Sequence, residues 1–285
     1  MLVYLTLFPI LGLLVVFYAG PSLYAFWLSL TNANMLRLEQ MKFIGLANFD
    51  RLLKLDPVFW PAFRNTVVYA FTTTILGLPL ALLVALGLKN LGPRLRRFFT
   101  FFYFAPYISP IVAVSVLFTW MFQKFGLFNM ILESLGLPPQ PFITASSHAM
   151  ASLIGMVLWK DLGFGTILYL VGLFGIPNMY YEAAQIDGAN RWRQFKSITL
   201  PLLARTTQFV AVMYLINGFK AFTVMHVITK GGPGRATTVL TTKIYEDAIV
   251  SHLLGRGSAV AVMLFIVILL MTLVQLKMLK AKWDY

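Results

Sequence analysis

The chain has no cysteine, only three histidines and few acidic residues, and each shortage excludes a class of function. Without cysteine there is no disulfide, thiolate metal ligand or thiol nucleophile. His148, His226 and His252 are scattered without a second ligand at a useful spacing, so we expect interfacial or structural roles and no metal site. No HExxH, G-x-S-x-G or G-x-x-x-x-G-K-[ST] motif occurs. The sequence therefore predicts no catalytic residues and no ATP hydrolysis by this chain.

Charge is also scarce, at 12% of the 285 residues, whereas 59% are hydrophobic. Soluble domains have about 45–50% apolar residues, and a membrane-spanning helix needs about 20 in succession. Six segments qualify, which predicts an all-α membrane protein with six transmembrane helices. Gly20 and Pro21 interrupt the first segment, which has no basic region before it, so we predict a retained, kinked anchor and no signal peptide. The six segments are residues 2–30, 65–88, 98–122, 149–174, 202–228 and 257–276.

The loops between these segments differ in their density of positive charge. Residues 89–97, 175–201 and 277–285 concentrate basic side chains, including Lys280 and Lys282, whereas the longer opposite loops mix basic and acidic ones. Because cytoplasmic loops are enriched in Lys and Arg, we predict that both termini are cytoplasmic. The net charge of +13 then fits lipid headgroups and does not require a nucleic-acid partner.

The most informative segment is the polar stretch EAAQIDGANRWRQFKSITLP, which lies between two long apolar stretches. Pro177 and Asn178 can begin a helix, Gly188 can end it in a left-handed conformation, and Asn190 can cap a second short helix. The second helix contains Arg191 and is basic. The pattern predicts a helix–turn–helix beside the membrane, which we call the finger (residues 178–201).

The spacing within the finger resembles the EAA signature of the integral-membrane subunits of binding-protein-dependent ABC importers. In that signature, Glu-Ala-Ala is followed by Gly and then by Ile-x-Leu-Pro. The resemblance implies that the finger is a coupling helix that docks into a cleft on a cytoplasmic ATPase. The residues expected to couple to the ATPase are Glu182, Ala183, Ala184, Asp187, Gly188, Ile198, Leu200 and Pro201.

The resemblance extends over nearly the whole chain. Four further segments are similar to segments of the carbohydrate branch of these importers. They are FIGLANFDRLL from Phe43, DPVFWPAFRNTVVY from Asp56, RFFTFFYFAPYISPIV from Arg97 and ITKGGPGRATTVLTTKIYEDA from Ile228. The implied fold is the MetI-like permease fold. Residues 1–63 would form an anchor helix with an extracytoplasmic loop, and residues 64–285 the permease core.

This family implies an assembly and a mechanism. The expected partners are a homologous second permease, two cytoplasmic ATPases that bind ATP and Mg, and an extracytoplasmic solute-binding protein. A sugar, most simply a di- or oligosaccharide, would cross the inner membrane by alternating access. Alternatives within the family are glycerol phosphate, amino-acid or oligopeptide uptake. Alternatives from other classes are a stand-alone secondary transporter, for which the sequence lacks repeated halves, and a membrane anchor or receptor.

Charged residues inside predicted spans suggest where substrate binds, since they are costly there unless protein or water surrounds them. Asp161, with the adjacent Lys160, and Lys220 are such residues. For Asp161 and Lys220 two readings stay open: a ligand-binding role, or a buried ion pair with each other. Aromatic, amide and small residues near them suit the apolar faces and hydroxyls of a sugar. The predicted cavity residues are Trp159, Asp161, Gly163, Phe164, Tyr214, Asn217, Gly218 and Lys220.

Overall fold

The computed structural model describes residues 2–278, and Lys280 and Lys282 lie outside them. Within the described residues the chain is helical, and one isolated antiparallel bridge joins Thr31 and Phe43. This confirms the all-α prediction. The helices are α1 (Leu2–Leu14), α2 (Gly20–Ser29), α3 (Ala47–Lys54), α4 (Phe59–Lys89), α5 (Pro93–Ile108), α6 (Ile111–Met121), α7 (Leu127–Ser134), α8 (Ser146–Phe174), α9 (Asn178–Ile186), α10 (Arg191–Gln194), α11 (Leu200–Leu202), α12 (Ala204–Phe219), α13 (Leu240–Tyr245) and α14 (Leu254–Met278).

Four of the described helical segments are long and apolar enough to cross a membrane, and there are six if each of two bent helix pairs counts as one span. The four single spans are Phe8–Ser29, Phe59–Lys89, Ser146–Phe174 and Leu254–Lys277. The bent pairs are Pro93–Ile108 with Ile111–Met121, and Arg191–Leu202 with Ala204–Phe219. The protein is therefore a multi-pass membrane protein.

The predicted interruption in the first span takes the form of a π-helical turn. The turn covers Val15–Ala19 and joins α1 to α2 immediately before Gly20 and Pro21. Pro21 has no amide hydrogen to donate inside a helix, and π-turns are a common way to absorb such a defect. Ser22 Oγ donates a hydrogen bond to the Tyr18 carbonyl at 2.6 Å, which satisfies a carbonyl of this turn.

Two of the predicted spans are bent, a feature that the sequence analysis did not anticipate. Residues 98–122 bend by 94° between α5 and α6. Ser109 is extended and Pro110 caps α6, because the residue before a proline is forced out of the helical region. In the fifth segment, the helix bends by 64° at Leu203, between α11 and α12. α12 ends at Phe219, and Met225–Thr229 forms a separate π-helical turn.

The chain divides into two compact units. The first combines Met1–Arg64 with Thr238–Val267, so it contains the predicted anchor and loop and also residues 238–267. The second combines Asn65–Thr237 with Ile268–Tyr285. The core of the second unit is a buried cluster from α4, α8 and α12, in which Ala81 and Ala85 face Tyr169 and Val210. The small residues on α4 let larger side chains of α8 and α12 pack closely against it.

Candidate functional site

The finger is built as its sequence predicts. Pro177 is extended and precedes α9, and Gly188 has a φ of +73° just after α9 ends. Asn190 caps α10, because its side-chain oxygen accepts a hydrogen bond from the Arg193 amide at 2.9 Å. The structure confirms the helix–turn–helix geometry.

Most of the finger is exposed, including Glu182, Ala183, Asp187 and Gly188, and Ala184 is half-buried. Several large apolar side chains that the sequence analysis did not select are also exposed, and the most exposed are Ile186 at 88% and Trp192 at 70%. Apolar side chains on a charged, water-facing segment indicate a surface that another protein covers. Their signal in the sequence was the presence of Ile and Trp among polar residues.

The returning arm of the finger is anchored to the core of the second unit. Ile198 packs against the buried cluster, and the Thr199 hydroxyl lies 3.0 Å from the Tyr181 hydroxyl. Lys89 Nζ lies 4.8 Å from the centre of the Tyr181 ring. Pro201 is half-buried and Leu200 exposed. The returning arm is therefore packed against the core and is not a loose loop.

A second feature of the same unit is a cavity of about 330 Å³. Five of the predicted substrate residues line it: Asp161, Tyr214, Asn217, Gly218 and Lys220. Its wall also contains two aromatic side chains that the sequence analysis missed, Tyr69 on α4 and Tyr107 on α5. Lys160, which was expected there beside Asp161, lines the cavity as well.

Asp161 is paired with Lys160, and not with Lys220. The Lys160 ammonium lies 3.7 Å from Asp161 Oδ1 and donates a hydrogen bond to the Tyr107 carbonyl at 3.1 Å. Among residues 2–278, no ion pair joins Asp161 to Lys220, so of the two readings left open by the sequence, the one that paired these residues is wrong. Lys220 follows the last residue of α12, where its side chain is exposed, whereas Lys160 is buried on the same turn as Asp161.

Tyr214 is held by a hydrogen bond to α8. Its hydroxyl donates to the Asp161 carbonyl at 3.0 Å, and its ring lies 6.3 Å from that of Phe164. The ion pair with Lys160 uses Asp161 Oδ1, and the Asp161 side chain is 29% exposed. The cavity thus combines aromatic faces with hydrogen-bond acceptors and donors, a combination that suits a polyhydroxylated ligand.

Three predicted residues do not line this cavity. Successive helical residues are rotated by 100°, so Trp159 lies on the opposite face of α8 and lines a different cavity. Gly163 is buried against the backbone of α5, where a Cβ would collide with Tyr103 and Phe104. Phe164 stacks on Tyr107 with ring centres 5.1 Å apart, one turn beyond the cavity wall.

The first unit contains a charge network that the sequence analysis did not anticipate. Lys243 Nζ lies 2.7 Å from Asp56 Oδ2 and 3.0 Å from Asp247 Oδ2, and Arg256 lies 3.1 Å from the same Asp56 oxygen. Burial alone would raise the pKa of Asp56. This effect of burial is outweighed by hydrogen bonds from Lys243 and the Val58 amide and by the positive charges of Lys243 and Arg256. The pKa of Asp56 is therefore held below its ordinary value.

Asp56 is also the helix cap of α4. Its Oδ1 accepts hydrogen bonds from the amides of Val58 at 2.8 Å and Phe59 at 3.2 Å. One carboxylate therefore fixes the first turn of a membrane span with one oxygen and binds two cations with the other. Its partners lie about 200 residues away in the sequence, which is why no local pattern predicts the network.

Comparison with known proteins places these features among transport proteins. A family model described as "Binding-protein-dependent transport system inner membrane component" matches residues 77–279. The trehalose/maltose transport system permease protein MalF of Thermococcus litoralis is 34% identical over 279 residues, covering 96% of this chain and 92% of that one.

Two further proteins extend the comparison. The sn-glycerol-3-phosphate transport system permease protein UgpA of Agrobacterium fabrum is 31% identical over 285 residues, covering 99% of this chain and 96% of that protein. The fold is similar to that of a bacterial ABC transporter involved in the import of the acidic polysaccharide alginate. The TM-score is 0.85 at 25% identity, covering 99% of this chain and 96% of that one.

Proposed function

Because the chain belongs to the family of binding-protein-dependent transport system inner membrane components, we propose that it is a permease subunit through which a sugar enters the cell. The observation that carries the proposal is the cavity of about 330 Å³ in the same compact unit as the finger. Its Tyr107 and Tyr214 rings offer faces to the apolar side of a pyranose, and Asp161 and Asn217 offer hydrogen bonds to hydroxyls. MalF, named for trehalose and maltose, supports this substrate class.

The proposed assembly contains a second permease, two ATPase subunits and a solute-binding protein on the opposite side of the membrane from the finger. ATP and Mg would be bound by the ATPases. The exposed Ile186 and Trp192 would contact an ATPase beside the EAA residues. Closure of the ATPase dimer would move the finger, and the packed Ile198 would pass that movement to the helices around the cavity. The finger and both termini would then be cytoplasmic.

Uptake of glycerol phosphate is a second candidate, which a specific observation favours. Lys220 lines the cavity, its side chain is exposed, and it has no carboxylate partner within the described residues. UgpA, named for that substrate, is a relative over nearly the whole chain. Against this candidate, none of the described lining residues is arginine, the side chain best suited to bidentate phosphate binding.

We expect the Asp161→Asn variant in the assembled transporter to change the relative uptake of different disaccharides by about tenfold, the value of one hydrogen bond. An amide keeps an acceptor and adds donors, so the pattern of hydroxyls that fit is altered. Lys160 keeps its bond to the Tyr107 carbonyl, and the contact it loses is a 3.7 Å one to a carboxylate that is 29% exposed, so the yield of membrane-inserted protein should be unchanged. The measurement is uptake of several labelled di- and trisaccharides and of glycerol phosphate into proteoliposomes.

The matched control for this experiment is Glu133→Gln, the same change at an exposed carboxylate of α7 outside the cavity. Uptake by this control should equal that of the unmodified transporter. An unchanged preference in Asp161→Asn would remove Asp161 from the binding site. A lower yield that Lys160→Met restores in the double variant would show that Asp161 only neutralises Lys160.

The purified chain alone should neither hydrolyse ATP nor accumulate sugar when a proton or sodium gradient is imposed. The sequence has no phosphate-binding loop, and Asp161 is the only acidic residue in its candidate spans. The check is phosphate release and sugar accumulation in liposomes that contain this chain without partners. Gradient-driven accumulation would instead establish a secondary transporter.

A further inference from the structure

A second and larger cavity in the same unit plays no part in the proposed transport route. Its volume is about 780 Å³, and it lies mainly between α6 and α8. Its lining is predominantly apolar and aromatic. The lining residues from α6 are Leu117, Phe118 and Met121, and those from α8 are His148, Ala151, Ser152, Gly155, Met156 and Trp159. We call this cavity the α6–α8 groove.

The groove is about half as long as a membrane is thick. Its α8 residues recur every three or four positions from His148 to Trp159, which puts them on one face of the helix. Eleven residues of helix rise by about 16 Å. The hydrocarbon core of a bilayer is about 30 Å thick, so the groove has the depth of one leaflet.

The two ends of the groove differ in chemistry. At the deep end, the rings of Phe118 and Trp159 are 5.3 Å apart, near the middle of α8. At the shallow end, Phe122 contacts Phe142 with ring centres 5.5 Å apart, and His148 lies in the first turn of α8. The groove therefore begins at the membrane surface where α8 begins, opposite the end that leads into the finger.

A basic residue follows the shallow end of the groove in the sequence. Lys124 follows Phe122 by two residues, is exposed, and lies with its ammonium 5.6 Å from the centre of the Phe125 ring. His148 lies in the groove wall, with Nδ1 3.0 Å from Ser147 Oγ. Glu133, an exposed acidic residue near the end of α7, is the nearest acid in the sequence. A cation at the mouth of an apolar groove complements a phosphate group attached to a hydrocarbon chain.

We propose that the α6–α8 groove binds an acyl chain of a phospholipid from the leaflet opposite the finger, with the phosphate of that lipid at Lys124. A membrane-spanning helix of another protein would need a contact surface about 30 Å long, twice the depth of the groove. An acyl chain needs one leaflet only. Its headgroup would lie at the surface, where the basic residue is found.

The test uses the full transporter in nanodiscs that contain a phospholipid with a photoactivatable diazirine on its acyl chain. After irradiation, mass spectrometry measures labelling of the peptides that contain Phe118 and Trp159. The decisive variant is Gly155→Leu, because a Cβ at Gly155 would have no heavy atom within 4 Å and the new side chain can occupy the groove. Labelling of these peptides should fall about fivefold through lost apolar contact.

Gly87→Leu is the matched control. Gly87 lies in α4, is exposed, is not among the groove residues, and likewise has no heavy atom within 4 Å of the Cβ position. In Gly87→Leu, lipid labelling of the peptides that contain Phe118 and Trp159 should equal that of the unmodified chain. Both variants should elute as folded complexes. If Gly155→Leu does not fold, Ala151→Leu fills the same groove from one turn away.

Equal labelling in the groove-filling variant and the control would overturn the proposal. Protein–protein cross-links from this face to the second permease, with no lipid label, would also overturn it. Labelling is measured without transport, so the result does not depend on the proposed substrate. Loss of sugar uptake with normal lipid labelling would count against the transport proposal alone.

Discussion

A Gly188→Val variant should stop sugar uptake by the assembled transporter while the subunit remains in the membrane. Gly188 has a φ of +73°, a conformation that a β-branched residue adopts only with considerable strain. The turn between α9 and α10 would then open, and the face that carries Glu182 would lose its fixed orientation. We expect uptake to fall more than tenfold, since coupling requires the finger to move as a unit.

The control is Gly188→Asn at the same position, because asparagine tolerates the left-handed conformation far better than valine. No heavy atom lies within 4 Å of a Cβ at this position, so neither variant creates a clash. The measurement is ATP hydrolysis with and without loaded solute-binding protein. Stimulation should be lost in the valine variant and kept in the asparagine variant. Full stimulation in both would end the assignment of this finger as the coupling element.

The second large effect is expected from Lys243→Met in the first unit. Lys243 is 4% exposed and neutralises Asp56, which is 3% exposed, as well as Asp247. Removing it leaves two largely buried carboxylates with Arg256 as the remaining cation of the network. Breaking a buried ion pair from one side costs about 3 kcal/mol or more, so the free energy of unfolding should fall by that order. Thermal unfolding of the purified chain in lipid nanodiscs measures it.

The chain offers a matched control in Lys54→Met. Lys54 pairs at 2.5 Å with Asp50, which is four residues earlier in the sequence. Lys243 and Asp247 are also four residues apart. Both partners of this pair are exposed, so water and salt screen the interaction and stability should not change measurably. Equal destabilisation by the two substitutions would show that burial does not determine how much the Lys243 network contributes to the free energy of unfolding.

The difference between the unmodified chain and Lys243→Met should depend on pH. The folded-state pKa of Asp56 lies below its ordinary value, so this carboxylate stabilises the folded state above that ordinary pKa. The contribution is lost as the pH falls through the lowered value. The stability difference should therefore be full at neutral pH and shrink in strong acid, where Asp56 is protonated in both proteins.

The finger could be predicted from its residues because local chemistry determines it. Proline before a helix, glycine at a left-handed stop and asparagine at a cap act within one or two turns. The bends at Ser109–Pro110 and Leu203 could not be predicted by hydropathy, which reports composition and not helix direction. Pro110 was the available signal, because the residue before a proline leaves the helical region.

The cavity was predicted in part, from single residues whose chemistry is unusual inside an apolar helix. Asp161 and Lys220 stood out because charge is rare in these helices, and both line the cavity. Their supposed ion pair required knowledge of side-chain direction that no periodicity supplies. Lys160 took the position of counter-ion because it is adjacent and buried. Asp56, Lys243 and Arg256 are too far apart in sequence for any local pattern to join them.

The tight packing at Gly163 and Gly218 has a consequence for how such a transporter can diversify. A Cβ at Gly163 would strike the backbone of α5, and one at Gly218 would lie 2.7 Å from the Ala70 Cα. These contacts leave no tolerance for larger residues, whereas Asn217 and Lys220 nearby face open space in the cavity. Mutations that change what is carried can therefore accumulate at positions such as Asn217 and Lys220, while Gly163 and Gly218 preserve the packing of the helices.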